Sequence, residues 1–311
     1  MQEVIKVQNL WKKYGDLDVV KDLSFSVRSG DVYGFLGQNG AGKSTTIRMI
    51  LDLIRPTSGS VEIFGQSVRK NRKNVFKNVG AIIERPDLYL YLTGTENLKL
   101  FARMSGVNLS EAKLMYFLDL VGLTERGKSR VSTYSLGMKQ RLGIAVALVH
   151  DPGVLILDEP TNGLDPQGIA EIRKLIQRLS HDEGKTILVS SHLLSEVEQI
   201  ATRMLIIDKG VALAEGSVHE LLDPGDTGVL VHTNSDTDTY NLLLKSPFAD
   251  FVKEKNDKGI FLRMDAANIP SLNRFLVQEN VEVMSLESRQ QLEHTFLKIT
   301  SPANYVDSLS A

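Results

Sequence analysis

Residues 37–45 read Gly-Gln-Asn-Gly-Ala-Gly-Lys-Ser-Thr and match GxxxxGK[ST]. No other stretch narrows the available folds so far, because the pattern functions only as a loop between a strand and a helix. Both flanks fit. VYGFL (32–36) is an apolar run of strand type; Ile47, Ile50, Leu51 and Ile54 recur at i, i+3, i+4 and i+7, one stripe on a helix. Gly37, Gln38, Asn39, Gly40, Ala41 and Gly42 then form a turn whose glycines let backbone N–H groups face inward around phosphate oxygens. The helix N-terminus, with Lys43, Ser44 and Thr45, adds its positive dipole end. Lys43 supplies a point charge to β- and γ-phosphates and Ser44 a hydroxyl to Mg2+. Average residue usage gives about one chance match per hundred chains of this length, before the strand and helix are required. Phosphate binding is the better reading.

A second feature serves the same chemistry. Val154 to Leu157 are four apolar residues of a buried strand, and Asp158 and Glu159 stand at its end. One acid suits a Mg2+ site completed by phosphate oxygens and water. The next can orient and deprotonate a water for in-line attack. Asp158 is assigned to magnesium and Glu159 to the base. Alone, two solvated loop acids would be the simpler account; downstream of a phosphate loop they are not.

Strand and helix patterns alternate around these motifs. Val4 to Val7, Leu23 to Val27, VEIF (61–64) and VGAII (79–83) read as strands, and residues 95–122 as helices. A helix from about Ser135 to Val149 precedes VLIL (154–157), one over 166–180 precedes TILVSS (186–191), and one over 193–200 precedes MLIID (204–208). Nearly continuous apolar strands of this kind are parallel and covered on both faces, so an α/β layered domain is expected. DPGDTG, from 223, is a turn-rich linker. Beyond it GVLVHT, ADFVKEK, GIFLRM and VEVMSL read as strands and 238–245, 268–277 and 288–299 as helices, a small α+β domain of split βαβ, ferredoxin-like type.

Composition excludes other classes. The 311 residues are 42% hydrophobic and 24% charged, enough to build a core. A net charge of -2 gives no basis for nucleic-acid binding. The absence of cysteine removes disulfides, thiolate nucleophiles and Cys-ligated metals. No run approaches about 18 apolar residues, and the opening MQEVIKVQNLWKKY has no signal-peptide pattern, so a cytosolic chain is expected.

Taken together, residues from about 4 to 222 resemble the nucleotide-binding subunits of ATP-binding-cassette (ABC) transporters. The resemblance implies a P-loop ABC ATPase domain at 1–222, with a mixed sheet core and a helical subdomain at about 90–150, and an accessory domain at 226–311. It implies ATP and Mg2+ as ligands. Tyr14 sits where the family stacks an aromatic ring on adenine, although spacing alone leaves a core or surface tyrosine equally open. Tyr134-Ser135-Leu136-Gly137-Met138 occupies the place of the signature LSGGQ, with Ser135 and Gly137 kept. Ser135 caps the following helix, whose N-terminus can then address a phosphate; in the family that phosphate belongs to the other protomer. Asp165 resembles the D-loop acid, and it also caps a helix with Pro166 at its first position. His192 takes the place of the γ-phosphate-sensing histidine. Glu84 stands where the family has a glutamine beside Mg2+ and the attacking water; an ionised glutamate accepts but does not donate, and adds negative charge near the metal.

That glutamate, the loose signature, the extra domain and the ending LeuGluHisThrPheLeuLysIleThr resemble the bacitracin- and lantibiotic-immunity branch of exporters. The expected partners are a separate polytopic membrane permease and a second copy of the ATP-binding subunit, forming a homodimer, with the chain cytoplasmic and peripheral on the inner face of the membrane. The cargo implied is a peptide antibiotic or another toxic compound. A soluble ABC ATPase acting on a non-membrane partner is the alternative; such relatives carry two cassettes or a long coiled coil, and this chain has one cassette and no sustained heptads. A regulatory module without turnover is disfavoured by Glu159 and His192. The basic run Arg69 to Lys73, with Lys77, is most simply a solvated face, with attraction to the anionic inner leaflet of the membrane as the sharper alternative.

Overall fold

The computed structural model describes residues 2–221, 227–256 and 259–289 of the chain. They fall into two compact units, Met1–Ser217 and Val218–Ala311. In the first, strands β1 (Glu3–Tyr14) and β2 (Leu17–Arg28) pair antiparallel and run well past their apolar stretches. The polar half of β1 is held from its other side, where the Thr57 N–H donates to the Trp11 carbonyl and the Lys13 N–H to Thr57 Oγ1. Strand β4 (Ser58–Ile63) continues that ladder, and β5 (Gln66–Ser67) completes a sheet of order β2-β1-β4-β5.

The second sheet carries the motifs. Strands β3 (Val32–Leu36), β6 (Val79–Ile82), β7 (Val154–Asp158), β8 (Thr186–Ser191) and β9 (Arg203–Asp208) are parallel in the order β9-β3-β8-β7-β6. Every residue of β3, β7 and β8 is buried, which is why they read as runs and not as alternations. Strand β10 (Val211–Ser217) adds an antiparallel edge beside β9. It was not expected: none of its residues is buried, so it lacks the apolar pattern of its neighbours.

One face of this sheet packs on the antiparallel sheet and on helix α1 (Lys43–Ile50), with Ile5, Phe25, Phe35, Ile47, Ile50 and Leu205 in a single core. Beyond the one-turn α2 (Arg72–Val75) the opposite face builds the helical layer. It consists of α3 (Gly94–Met104), α4 (Glu111–Leu120), α5 (Leu136–Leu148) and α6 (Pro166–His181), followed by the short α7 (Leu194–Glu198). Leu98, Leu114, Leu118, Leu142, Ile144 and Ile176 join Leu155 and Leu157 there. Thr93, Ser110, Ser135 and Asp165 each cap one of these helices, so each N-terminus is set by a side chain accepting from the first turn.

The second unit opens with α8 (Val218–Leu221). It then runs β11 (Thr227–Thr233), α9 (Asp236–Leu243), β12 (Val252–Asn256), β13 (Gly259–Met264), α10 (Ile269–Gln278) and β14 (Val283–Arg289). Its sheet has the order β12-β13-β11-β14 with every pair antiparallel, and Val229, Val231, Leu243, Ile260, Leu272 and Leu276 fill its core. The element order is the split βαβ pattern. Ala249–Phe251 form a 3-10 turn, so the strand read over ADFVKEK begins only at Val252. The helix read over 288–299 is corrected at its start, since 288 and 289 continue β14; the rest of it, the ending at 292–300 and most of the linker lie outside the described residues.

Candidate functional site

The loop between β3 and α1 has the backbone its glycines imply. Gly40 and Gly42 take φ of 84° and 105°, in the left-handed region. A Cβ on Gly37 would lie 2.6 Å from the Ile207 carbonyl oxygen, and one on Gly42 2.9 Å from that of Val19. No side chain caps α1, which leaves its first N–H groups to a ligand. The loop is braced from outside. The Gly210 N–H, in the β9–β10 turn, donates to the Ala41 carbonyl (3.0 Å), and the Gly210 carbonyl accepts from the Lys21 N–H on β2 (2.8 Å).

The charged groups meet at the carboxyl ends of the parallel strands. Lys43, 5% exposed, donates from Nζ to the carbonyls of Gly37 (2.7 Å) and Gln38 (3.2 Å), and lies 3.1 Å from Glu159 Oε1. The other carboxylate oxygen of Glu159 is 2.7 Å from His192 Nδ1. Asp158 is fully buried; its Oδ1 accepts from Ser190 Oγ (2.6 Å), and its Oδ2 has no protein partner. Glu159 and Glu84 follow adjacent strands, β7 and β6, and both take left-handed φ, 50° and 58°. Such strain in non-glycine residues gathers at functional sites.

Of these groups Lys43, Glu84 and Glu159 line a cleft of about 960 Å3, together with Asn39, Gly40, Gly42, Ser44 and Thr45; Asp158, His192 and the loop residues Gly37, Gln38 and Ala41 do not line it. In open α/β sheets this end of the strands is where ligands bind. The orphaned Asp158 Oδ2 fits a divalent cation, since a buried carboxylate oxygen without a donor calls for a positive partner. Among the described residues no three His, Cys, Asp or Glu side chains cluster around it, so phosphate oxygens and water would complete such a shell.

Other sequence-selected residues stand apart. Tyr14, 49% exposed, is not in the cleft wall; the Lys12 ammonium lies 4.6 Å from its ring centroid. Ser135 accepts from the Met138 N–H (3.2 Å) and Asp165 from the Gly168 N–H (2.9 Å), so both act as caps, and neither they nor Gly137 line the cleft. Leu136 and Gln140 of the same helix do. Glu84 lies 2.5 Å from Arg48 Nη2 with 64% of its side chain exposed. Arg48 was missed, although it lies four residues after Ser44 and hence on the same helix face. Ser190 was also missed; its signal was a hydroxyl directly after the apolar Ile187, Leu188 and Val189.

A second concavity, of about 820 Å3, is mainly apolar, with Leu51, Leu53, Phe76, Ile82, Phe101 and Val146 in its walls. Ile83, Arg85 and Asp87, in the segment after β6, line both this groove and the cleft.

A family profile described as "ABC transporter" matches residues 20–162. The bacitracin transport ATP-binding protein BcrA of Bacillus licheniformis is 42% identical over 301 residues, covering 96% of this chain and 98% of BcrA. The lantibiotic transport ATP-binding protein SrtF of Streptococcus pyogenes is 43% identical over 212 residues, 68% of this chain and 90% of SrtF. A solved structure described as the ATP binding subunit of an ABC transporter has TM-score 0.62 at 33% identity, covering 70% of this chain and 91% of that one. Likeness at this level extends beyond the phosphate loop to nearly the whole sequence, and the chain belongs to the ATP-binding subunits of ABC transporters.

Proposed function

We propose that the chain hydrolyses Mg-ATP in this cleft and thereby drives a separate membrane permease that exports a peptide antibiotic or a similar toxic compound. The observation that carries the hydrolytic reading is the contact of Glu159 with both Lys43 and His192. A carboxylate held beside a phosphate-binding lysine and an imidazole is placed to orient and deprotonate a water. In this reading the loop residues and Lys43 hold the phosphates, Ser44 and Asp158 hold Mg2+, and Tyr14 meets adenine. Mg2+ held there would supply positive charge to neutralise the phosphates. Ser135, Gly137 and Asp165 act at the contact with a second ATP-binding subunit.

The cargo class follows from relatives whose names give bacitracin and lantibiotic transport. Among the described residues no helix is long and apolar enough to cross a membrane, so passage of a cargo falls to another chain. The apolar groove suits a short amphipathic helix of that partner, and the shared 83–87 segment would pass its movement to the cleft. The chain then works on the cytoplasmic face of the membrane.

A Mg-ATPase assay with and without orthovanadate, on protein co-purified with a polytopic membrane protein, tests this. Turnover should depend on Mg2+ and be abolished by vanadate; its absence from the intact complex would refute hydrolysis. Deleting the gene should lower tolerance to a cyclic or lanthionine peptide. Unchanged tolerance would remove that cargo class and leave the ATPase.

Glu84 gives a further expectation. Glu84→Gln keeps an oxygen at the same reach, so kcat at saturating Mg-ATP should stay within about twofold, whereas Glu84→Ala should lower it about tenfold or more. An alanine variant equal to wild type would show that Glu84 takes no part and that its carboxylate serves only the Arg48 pair.

A further inference from the structure

Two neighbouring acids with different tasks need different aims, and one buried hydroxyl touches both. Ser190 sits opposite Asp158 in the β7–β8 ladder, fully buried, after the apolar Ile187, Leu188 and Val189. Its Oγ accepts from the Glu159 N–H (2.9 Å) and donates to Asp158 Oδ1 (2.6 Å). The polarity is fixed. An amide N–H only donates and an ionised carboxylate only accepts, so the single serine proton has to point at Asp158. The 2.6 Å separation is that of a charge-assisted bond.

We infer that Ser190 is the positioning residue of the acid pair, with one hydroxyl presenting Asp158 Oδ2 to the metal and fixing the backbone turn that presents Glu159. This rests on the proposed roles of Asp158 and Glu159. The first arm decides which carboxylate oxygen stays free: with Oδ1 occupied, Oδ2 is the one left without a partner. The second arm pins the N–H of Glu159 at φ 50°, where the chain leaves the strand and turns the carboxylate toward Lys43 and His192. A serine satisfying only itself would need neither contact; a strand-end carbonyl would serve it.

The test compares wild type with Ser190→Ala, Ser190→Thr and Ser190→Cys in three measurements. These are binding of a fluorescent ATP analogue in EDTA, Mn2+ titration by electron paramagnetic resonance with a non-hydrolysable ATP analogue, and kcat. Ser190→Ala should bind the analogue in EDTA within about twofold of wild type. Its Mn2+ affinity should fall about 10–100-fold, the range for outer-shell partners of metal ligands, and kcat at least about tenfold. Ser190→Thr keeps the hydroxyl and should recover both. In an Asp158→Asn background the Ser190→Ala effect on Mn2+ should shrink to under about twofold, because the two act through one group. If Ser190→Ala does not fold, Ser190→Cys, with a weaker donor and acceptor in a similar shape, should show intermediate Mn2+ affinity. Wild-type Mn2+ affinity and kcat in the alanine or cysteine variant would overturn the inference. So would a parallel loss of analogue binding in EDTA, which would mark Ser190 as packing. Failure of wild-type protein to bind the analogue would instead overturn the nucleotide site itself.

Discussion

Glu159→Gln should bind ATP as wild type does and lose turnover by about 10²–10⁴-fold, the share that general-base catalysis ordinarily contributes. The contacts explain why binding survives. Glu159 reaches Lys43 with one oxygen and His192 with the other. A glutamine can turn its carbonyl oxygen to the lysine and its NH2 to an unprotonated imidazole nitrogen, so the shape and both contacts persist. What disappears is the ability to take a proton from water. ATP should then hold two copies together, because closure is no longer undone by hydrolysis; size-exclusion chromatography with and without ATP reads this. Wild-type hydrolysis in the variant would remove Glu159 from the mechanism.

Ser135→Arg should abolish turnover, by about a hundredfold or more, through a nucleotide held by the partner copy. Ser135 is exposed and accepts from Met138 at the start of α5, a helix N-terminus able to cover a γ-phosphate. Within one chain Lys43, Glu159 and His192 already converge, so what remains to be supplied is a lid that excludes water and strengthens those contacts. Leu136 and Gln140 line the chain's own cleft, which makes a reach within one chain the competing geometry. Distance separates the two. In an ATP-bound Glu159→Gln dimer, a label at residue 135 should approach the partner's residue 43, and should do so only with ATP. Labels that stay far apart refute the arrangement across two chains. Mixing Lys43→Ala with Ser135→Arg chains should also restore part of the activity, since one of the two sites then keeps both residues.

The sequence carried the phosphate loop and the acid-bearing strand plainly, because both are local. A loop matched to its flanking strand and helix, and four buried apolar residues ending in two acids, need no knowledge of the rest of the chain. Strands β3, β7 and β8 were legible because they are covered on both faces. Strand β10 was not, because none of its residues is buried. Ser190 was hidden for another reason: its contacts depend on the register Asp158↔Ser190, which joins segments about thirty residues apart and leaves no periodic trace. The Arg48–Glu84 pair is non-local in the same way.

The brace at Gly210 has a consequence for how the protein distinguishes its nucleotides. A Cβ there would lie 2.3 Å from the Val19 carbonyl oxygen, so turn, loop and β2 are in backbone contact with no slack. A cradle locked before its ligand arrives loses little entropy on binding and gains affinity for whatever diphosphate it encloses. It gains as much for the product as for the substrate, and a group with equal affinity for two ligands cannot report which is present. With the site roles proposed above, discrimination between a spent and a fresh nucleotide would fall outside the cradle, on Lys43, Glu159 and His192, which contact one another through the Glu159 carboxylate.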